Sequence, residues 1–393
     1  MADGDAPLTL TLEKTIDAVP AADWDRCAGD DNPFVSHAFL SVLEESGSVK
    51  AETGWLPQHL VLRDPAGQVV GCVPLYLKGH SYGEYIFDHG WADAFERAGG
   101  RYYPKLLSAI PFTPATGPRL LVADTADASF HRRALIQALQ QVVEQTGVST
   151  LHVNFPTEEE WKAFGSAGWL QRYGQQYHWV NDGYGTFDDF LNALSSRKRK
   201  NIRKERQRVR DAGVELVALQ GDDLNEDHWD AFFHFYMDTG SRKWGQPYLT
   251  RAFFSLLGEK LADRVVLIMA RHDGDWIAGA LNLVGSDAIY GRNWGCNSHF
   301  RFLHFEACYY QAIDYAIAHG LKTVEAGAQG EHKVQRGYLP TRTYSAHWIA
   351  DPNFRAAIAN FLEREGQMVD WEIASLSEAT PFRRIGGKSA ETK

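Results

Sequence analysis

Four cysteines in 393 residues is a small number, and Cys27, Cys72, Cys296 and Cys308 stand far apart in the chain. No close pair exists to build a zinc ribbon or a disulfide-stapled small domain. The spacing fits reduced thiols in a cytosolic protein. No apolar run approaches the ~20 residues needed to span a bilayer. The opening Met1-Ala-Asp-Gly-Asp is polar and acidic, unlike a secretory leader. No Gly-x-Gly-x-x-Gly follows the first expected strand, and no Gly-x-x-x-x-Gly-Lys-Ser/Thr phosphate loop occurs, which excludes the common dinucleotide and nucleoside-triphosphate folds. Basic residues are in deficit, 40 against 50 acidic, for a net charge of -10. A general nucleic-acid coat is thereby excluded.

The chain is rich in aromatics, with 21 Phe and 12 Trp, and its apolar fraction of 44% is that of a globular protein. Its length implies two domains. Period-two alternation marks strands over Leu8–Ile16, Gln58–Arg63 and Val69–Leu77, with a turn at Asp64-Pro65-Ala66-Gly67. Ser36 reads as the N-cap of a helix to Ser46. Three prolines stiffen the loop Pro111–Pro118. An amphipathic helix, His131–Thr146, stops at Gly147, before a strand at Thr150–Asn154, a helix at Glu158–Gly168 and a strand at Gln176–Asn181. The order then repeats: one long helix over Phe187–Ala212, a strand at Val214–Leu219, two helices, three strands between Val265 and Trp294, a helix over His304–His319, and strands at Thr323–Ala326 and Tyr344–Ala350. The helix Asn353–Ser377 closes the pattern, and a basic, mobile tail follows Pro381. The expected class is mixed α/β (α+β), a duplication with domains at 1–182 and 183–380 and a flexible tail at 381–393.

Two segments carry chemistry. The first, Glu325-Ala-Gly-Ala-Gln-Gly-Glu-His-Lys-Val-Gln-Arg-Gly-Tyr338, packs Glu325, Gln329, Glu331, His332, Lys333 and Arg336 among small residues that open the backbone to close approach. The second, Arg197–Arg210, carries nine basic residues against one Glu. Lys200, Lys204 and Arg208 share one helical face, and Arg199, Arg203 and Arg210 the next. Like charges at this spacing repel. An anion is needed to offset them, either internal or on a ligand, and Lys198, Lys200, Arg203 and Lys204 are the candidates to hold a polyanion.

The segments Ser196-Arg-Lys-Arg-Lys-Asn-Ile-Arg-Lys, Tyr290-Gly-Arg-Asn-Trp-Gly, Leu303-His-Phe-Glu-Ala-Cys-Tyr-Tyr-Gln, Glu325–Lys333, Arg336-Gly-Tyr-Leu-Pro and Pro111–Arg119 together resemble the peptidoglycan biosynthesis/recognition group. That group is a Fem-type branch of the GNAT N-acyltransferase superfamily. The resemblance covers nearly the whole chain. It implies two tandem GNAT-like domains, each a mixed central sheet flanked by helices. It also implies transfer of an aminoacyl group from aminoacyl-tRNA, or of an acyl group from acyl-CoA, to an amine of a peptidoglycan-type or amino-acid-derived acceptor. Partners so implied are a small-molecule amine, tRNA, and a lipid-linked precursor at the membrane surface. GNAT enzymes hold the CoA pyrophosphate in a glycine-paired loop. Here that stretch reads Asn297-Ser-His-Phe-Arg-Phe-Leu-His-Phe-Glu, without the pair, which favours a tRNA-borne or other donor over acetyl-CoA.

Amide formation requires a base for the amine, donors for the oxyanion and alignment of the reactants. Glu306 or Glu331 is the expected base, with His332 as rival. Lys333 and Arg336 suit an anionic group, while Arg292, Trp294, His304, Glu325 and Gln329 suit a substrate groove. His304, Glu306, Glu331 and His332 match no metal-ligand spacing, so no metal or fixed cofactor is expected. Two alternatives remain open: a non-catalytic binder of a cell-wall precursor or polyanion, and an acyl-CoA-dependent N-acetyltransferase.

Overall fold

The computed structural model describes residues 8–242 and 247–383. The tail expected to be mobile lies outside the described residues from position 384 onward.

In the second half, Glu215–Leu219, Val265–His272, Asp275–Val284 and Ala288–Cys296 form an antiparallel meander. Helical residues from Leu303 to Ala318 return the chain. Thr323–Glu325 then pairs parallel to Ala288–Cys296. The first half repeats this order. Thr9–Glu13, His59–Arg63 and Val69–Val73 are antiparallel, Leu75–Lys78 joins Lys105–Ser108, and Thr150–Asn154 lies parallel to the latter. The expected tandem α/β arrangement is therefore present. The strand expected over Val69–Leu77 is two strands, because Pro74 between them has no N–H to give the ladder. The break divides the first half between a four-stranded and an eleven-stranded sheet.

The last strand of each half is exchanged. Leu170–Val180 lies between Thr323–Glu325 and Leu339–Ile349, and Leu339–Ile349 lies in turn on Thr150–Asn154. The large sheet thus runs unbroken through residues on both sides of position 182. Registers align the two halves residue by residue. His178-Trp-Val180 faces Thr323-Val-Glu325, and His347-Trp-Ile349 faces Thr150-Leu-His152. His152 therefore occupies the place of Glu325, and His347 the place of His178.

The helix expected over Phe187–Ala212 is two, Phe187–Ala193 and Ser196–Asp211. Leu194 is fully buried and extended. It bridges to Phe382, and Ser195 N–H donates to Pro381 O at 2.9 Å, so the chain near Phe382 takes backbone groups that a continuous helix would use. The aromatic surplus fills the interior, with Trp24, Trp55, Trp179 and Trp229 fully buried. Each such ring removes about 150–250 Å² from water.

Candidate functional site

The parallel strands Ala288–Cys296 and Thr323–Glu325 stay paired only as far as Tyr290 and Glu325. Beyond that point they part, and a cavity of about 940 Å³ opens between the halves. Its walls come from both. Arg292, Trp294, His304, Tyr309, Gln329, His332 and Lys333 line it from the second half, and Tyr85, Phe87, Pro114 and Phe155 from the first. The glycine-rich segment adopts its course for a steric reason. Gly330 has φ near +99°, and a Cβ there would come within 2.4 Å of the His332 ring.

Glu325 sits where the strands part. Its side chain is 13% exposed, and its Oε2 lies 3.9 Å from His178 Nε2, with no hydrogen-bond partner. Burial pushes its carboxyl up to about 8, against the pull of the Thr116 N–H, Arg292 and Arg119. Burial also lowers Arg292, whose guanidinium donates to Phe112 O. The proline-rich loop is held for this contact by the buried Arg119, which donates to Ala115 O at 2.9 Å and Asn154 O at 3.0 Å. Lys333 is buried and donates to Ala326 O and Gly327 O. Desolvation brings its ammonium down to about 8. His332 faces Tyr309 OH at 3.2 Å, and partial desolvation, then Arg336 and Lys333, lower the pKa of its ring. Trp294 and His304 meet edge to face at 5.4 Å.

Other candidates are placed elsewhere. Glu306 opens a π-helical turn, is buried, and accepts from Arg206 at 2.9 Å and Gln311 at 2.8 Å. Arg206 also binds Asp314, so Glu306 serves the basic helix as an internal counterion. Arg336 is held by Glu205 at 2.8 Å and covers the Phe305 ring. Glu331 is exposed and stands outside the cavity lining. On the basic helix, Lys198 donates to Gln335 and Arg203 pairs with Asp188 at 2.8 Å. Lys200, Arg203 and Lys204 are exposed.

A polar cluster in the first half escaped the reading of the sequence. Lys78, Glu84, Asp88, Lys105, His152 and His347 are all buried. Lys105 binds both Glu84 at 2.7 Å and Asp88. Burial alone would raise Asp88, but the ammonium of Lys105 draws it well below the ordinary carboxylate range. Glu84, raised by burial, reaches about 7, and Lys78, lowered by burial, also reaches about 7. The repeated His-Trp-Val and His-Trp-Ile would have pointed to His178 and His347.

Exchanged strands, a repeated meander and an opening between parallel strands define a tandem protein of two mixed α/β halves. The chain belongs to the FemAB-like family, described as peptidoglycan biosynthesis/recognition, whose model matches residues 15–384. No curated protein gives a significant match. Among solved structures the chain is similar to FemX, with 12% identity and TM-score 0.56, covering 87% of this chain and 98% of that one. It is also similar to L-PGS from Bacillus licheniformis, with 10% identity and TM-score 0.51, covering 85% and 98%. A conserved protein of unknown function from Bacteroides thetaiotaomicron matches with 9% identity and TM-score 0.54, covering 87% and 100%. These likenesses establish the fold. No helix among the described residues is long and apolar enough to cross a membrane.

Proposed function

We propose that this protein is a Fem-type N-acyltransferase that moves an aminoacyl or acyl group from an activated donor to an amine of a peptidoglycan-type acceptor. The observation that carries the reading is Glu325, a carboxyl with an unpaired oxygen, raised to about 8 by burial, one residue before the stretch Ala326–Gly330 that lines the cavity. A carboxyl so poised exchanges a proton with an ammonium at small cost. In the reaction, Glu325 takes the proton of the bound amine. The nitrogen attacks the donor carbonyl, the carbon–oxygen or carbon–sulfur bond breaks, and the donor hydroxyl or thiol leaves with a proton. Arg292 and Lys333, both in the cavity wall, supply positive charge for the oxyanion or for a substrate carboxylate.

The donor we favour is an aminoacyl-tRNA, with phosphates held by Lys200, Arg203 and Lys204 on the exposed face of the basic helix. The test is to supply charged tRNA or acyl-CoA with a pool of cell-wall precursor amines and to follow label into amide. Transfer that depends on Glu325 is expected. Absence of transfer from every donor by folded protein would sink the reading.

A further inference from the structure

The first half holds an unassigned arrangement at the place that corresponds to Glu325. Period two along Leu339–Ile349 turns Thr343, Ser345 and His347 to one face, and Thr343 and Ser345 line the cavity. Ser345 Oγ lies 2.9 Å from His347 Nε2. His347 Nδ1 lies 2.6 Å from His152 Nδ1. His152 Nε2 faces Tyr102 OH at 3.0 Å, Thr150 Oγ1 at 3.0 Å and Asp88 Oδ2 at 3.4 Å.

The direction of proton donation follows from these contacts. Tyr102 gives its proton to Asp88 Oδ2 at 2.7 Å, and Asp88 is an ionised acceptor bound by Lys105. Both groups therefore require a donor at His152 Nε2. His152 Nδ1 is then the acceptor of His347 Nδ1–H, and His347 Nε2 is left as a lone pair toward the Ser345 hydroxyl. Burial keeps both rings neutral, His152 at about 3 and His347 well below its usual value. A hydroxyl bonded to a neutral imidazole, itself oriented by further polar groups, is the general pattern of an activated nucleophile.

We propose that Ser345 is a second reactive centre, a nucleophile that accepts an acyl group from an ester or thioester at the first-half end of the cavity. It is distinct from Glu325. Leu339 shares a register with His178, the partner of Glu325, and Ser345 lies six residues farther along its strand, roughly 20 Å away. Ser345 Oγ attacks the carbonyl carbon while His347 Nε2 takes its proton. The bond to the leaving oxygen or sulfur breaks, and that atom recovers the proton from His347. Water or an acceptor hydroxyl then attacks the acyl-serine and gives its proton to His347, which returns it to Ser345 Oγ as the acyl–oxygen bond breaks. Ser345 and His347 are each 1% exposed, so bulk water reaches the acyl-serine slowly.

The test uses the full-length protein with an alkyl fluorophosphonate and, separately, p-nitrophenyl acetate, followed by intact and peptide mass spectrometry. One covalent adduct at Ser345 is expected. It should vanish in Ser345→Ala and form about 10²-fold more slowly in His347→Gln of verified fold. An unlabelled protein, an adduct mapped to another residue, or equal labelling of Ser345→Ala would overturn the proposal. None of these readouts depends on the amide-forming activity, so failure here and failure of the transferase reading are separate results.

Discussion

The two parallel strand pairs of this molecule carry different groups at one corresponding position. In the second half it is Glu325, backed by His178 and open to Arg292. In the first it is His152, backed by His347 and closed in by Asp88, Tyr102 and Lys105. Burial acts on both with opposite sign, raising the carboxyl to about 8 and lowering the imidazole to about 3. Either way the neutral form wins, because burial penalises charge. The two halves therefore share a dry position on the last strand of the parallel pair, while the identity of the residue sets which proton chemistry it offers.

The strongest way to break this comparison is to remove the cation that holds the first-half cluster. Lys105→Met leaves Glu84 and Asp88 buried without their shared partner, and chemical denaturation should register a loss of about 3–5 kcal/mol. A smaller change would indicate that the cluster hydrates or protonates at little cost. At the second-half position, Glu325→Gln should lower kcat for transfer by about 10²–10⁴-fold. The wild-type rate should rise with pH through about 8, as the carboxyl ionises. Stability moves the other way. A carboxyl with a raised folded-state pKa binds more protons folded than unfolded between its ordinary value and 8, so the protein loses stability as pH rises across that window. Glu325→Gln should then melt higher than wild type at pH 8.5 and show a smaller difference at pH 4.

Glu306→Ala sharpens the comparison from outside the cavity. It strips Arg206 of a buried acceptor and should cost about 1–3 kcal/mol in denaturation, while the pH profile of transfer keeps its midpoint. A profile that loses that midpoint would return the base to Glu306. The smallest effect is expected on the solvated helix. Lys200→Ala and Lys204→Ala should leave the melting temperature within a degree or two, and each should lower the salt dependence of RNA binding by about one unit of slope.

Local signals in the sequence were sufficient for the meanders and the Ser36 and Gly147 caps, and they singled out Glu325–Tyr338, of which Gln329, His332 and Lys333 line the cavity. They were insufficient wherever a distant segment decided the outcome. The break at Leu194 needs Phe382, and the role of Glu306 needs Arg206, which approaches from another helix. Ser345 and His347 meet His152 only because two strands trade places, a pairing across 195 positions of chain that no periodicity encodes. Charge density alone pointed to the basic helix but could not tell its inward Arg206, spent on Glu306 and Asp314, from its outward cations.

The traded strands also fix an order of events during synthesis. Thr150–Asn154 leaves the ribosome long before its neighbour Leu339–Ile349 exists, and Leu170–Val180 emerges with neither of its flanking strands yet made. The sheet edges of the first half stay open until nearly the whole polypeptide is available, and such open edges recruit other chains. The nascent protein is thus dependent on its own last quarter, and premature termination anywhere before Ile349 should release an aggregating fragment in place of a working half.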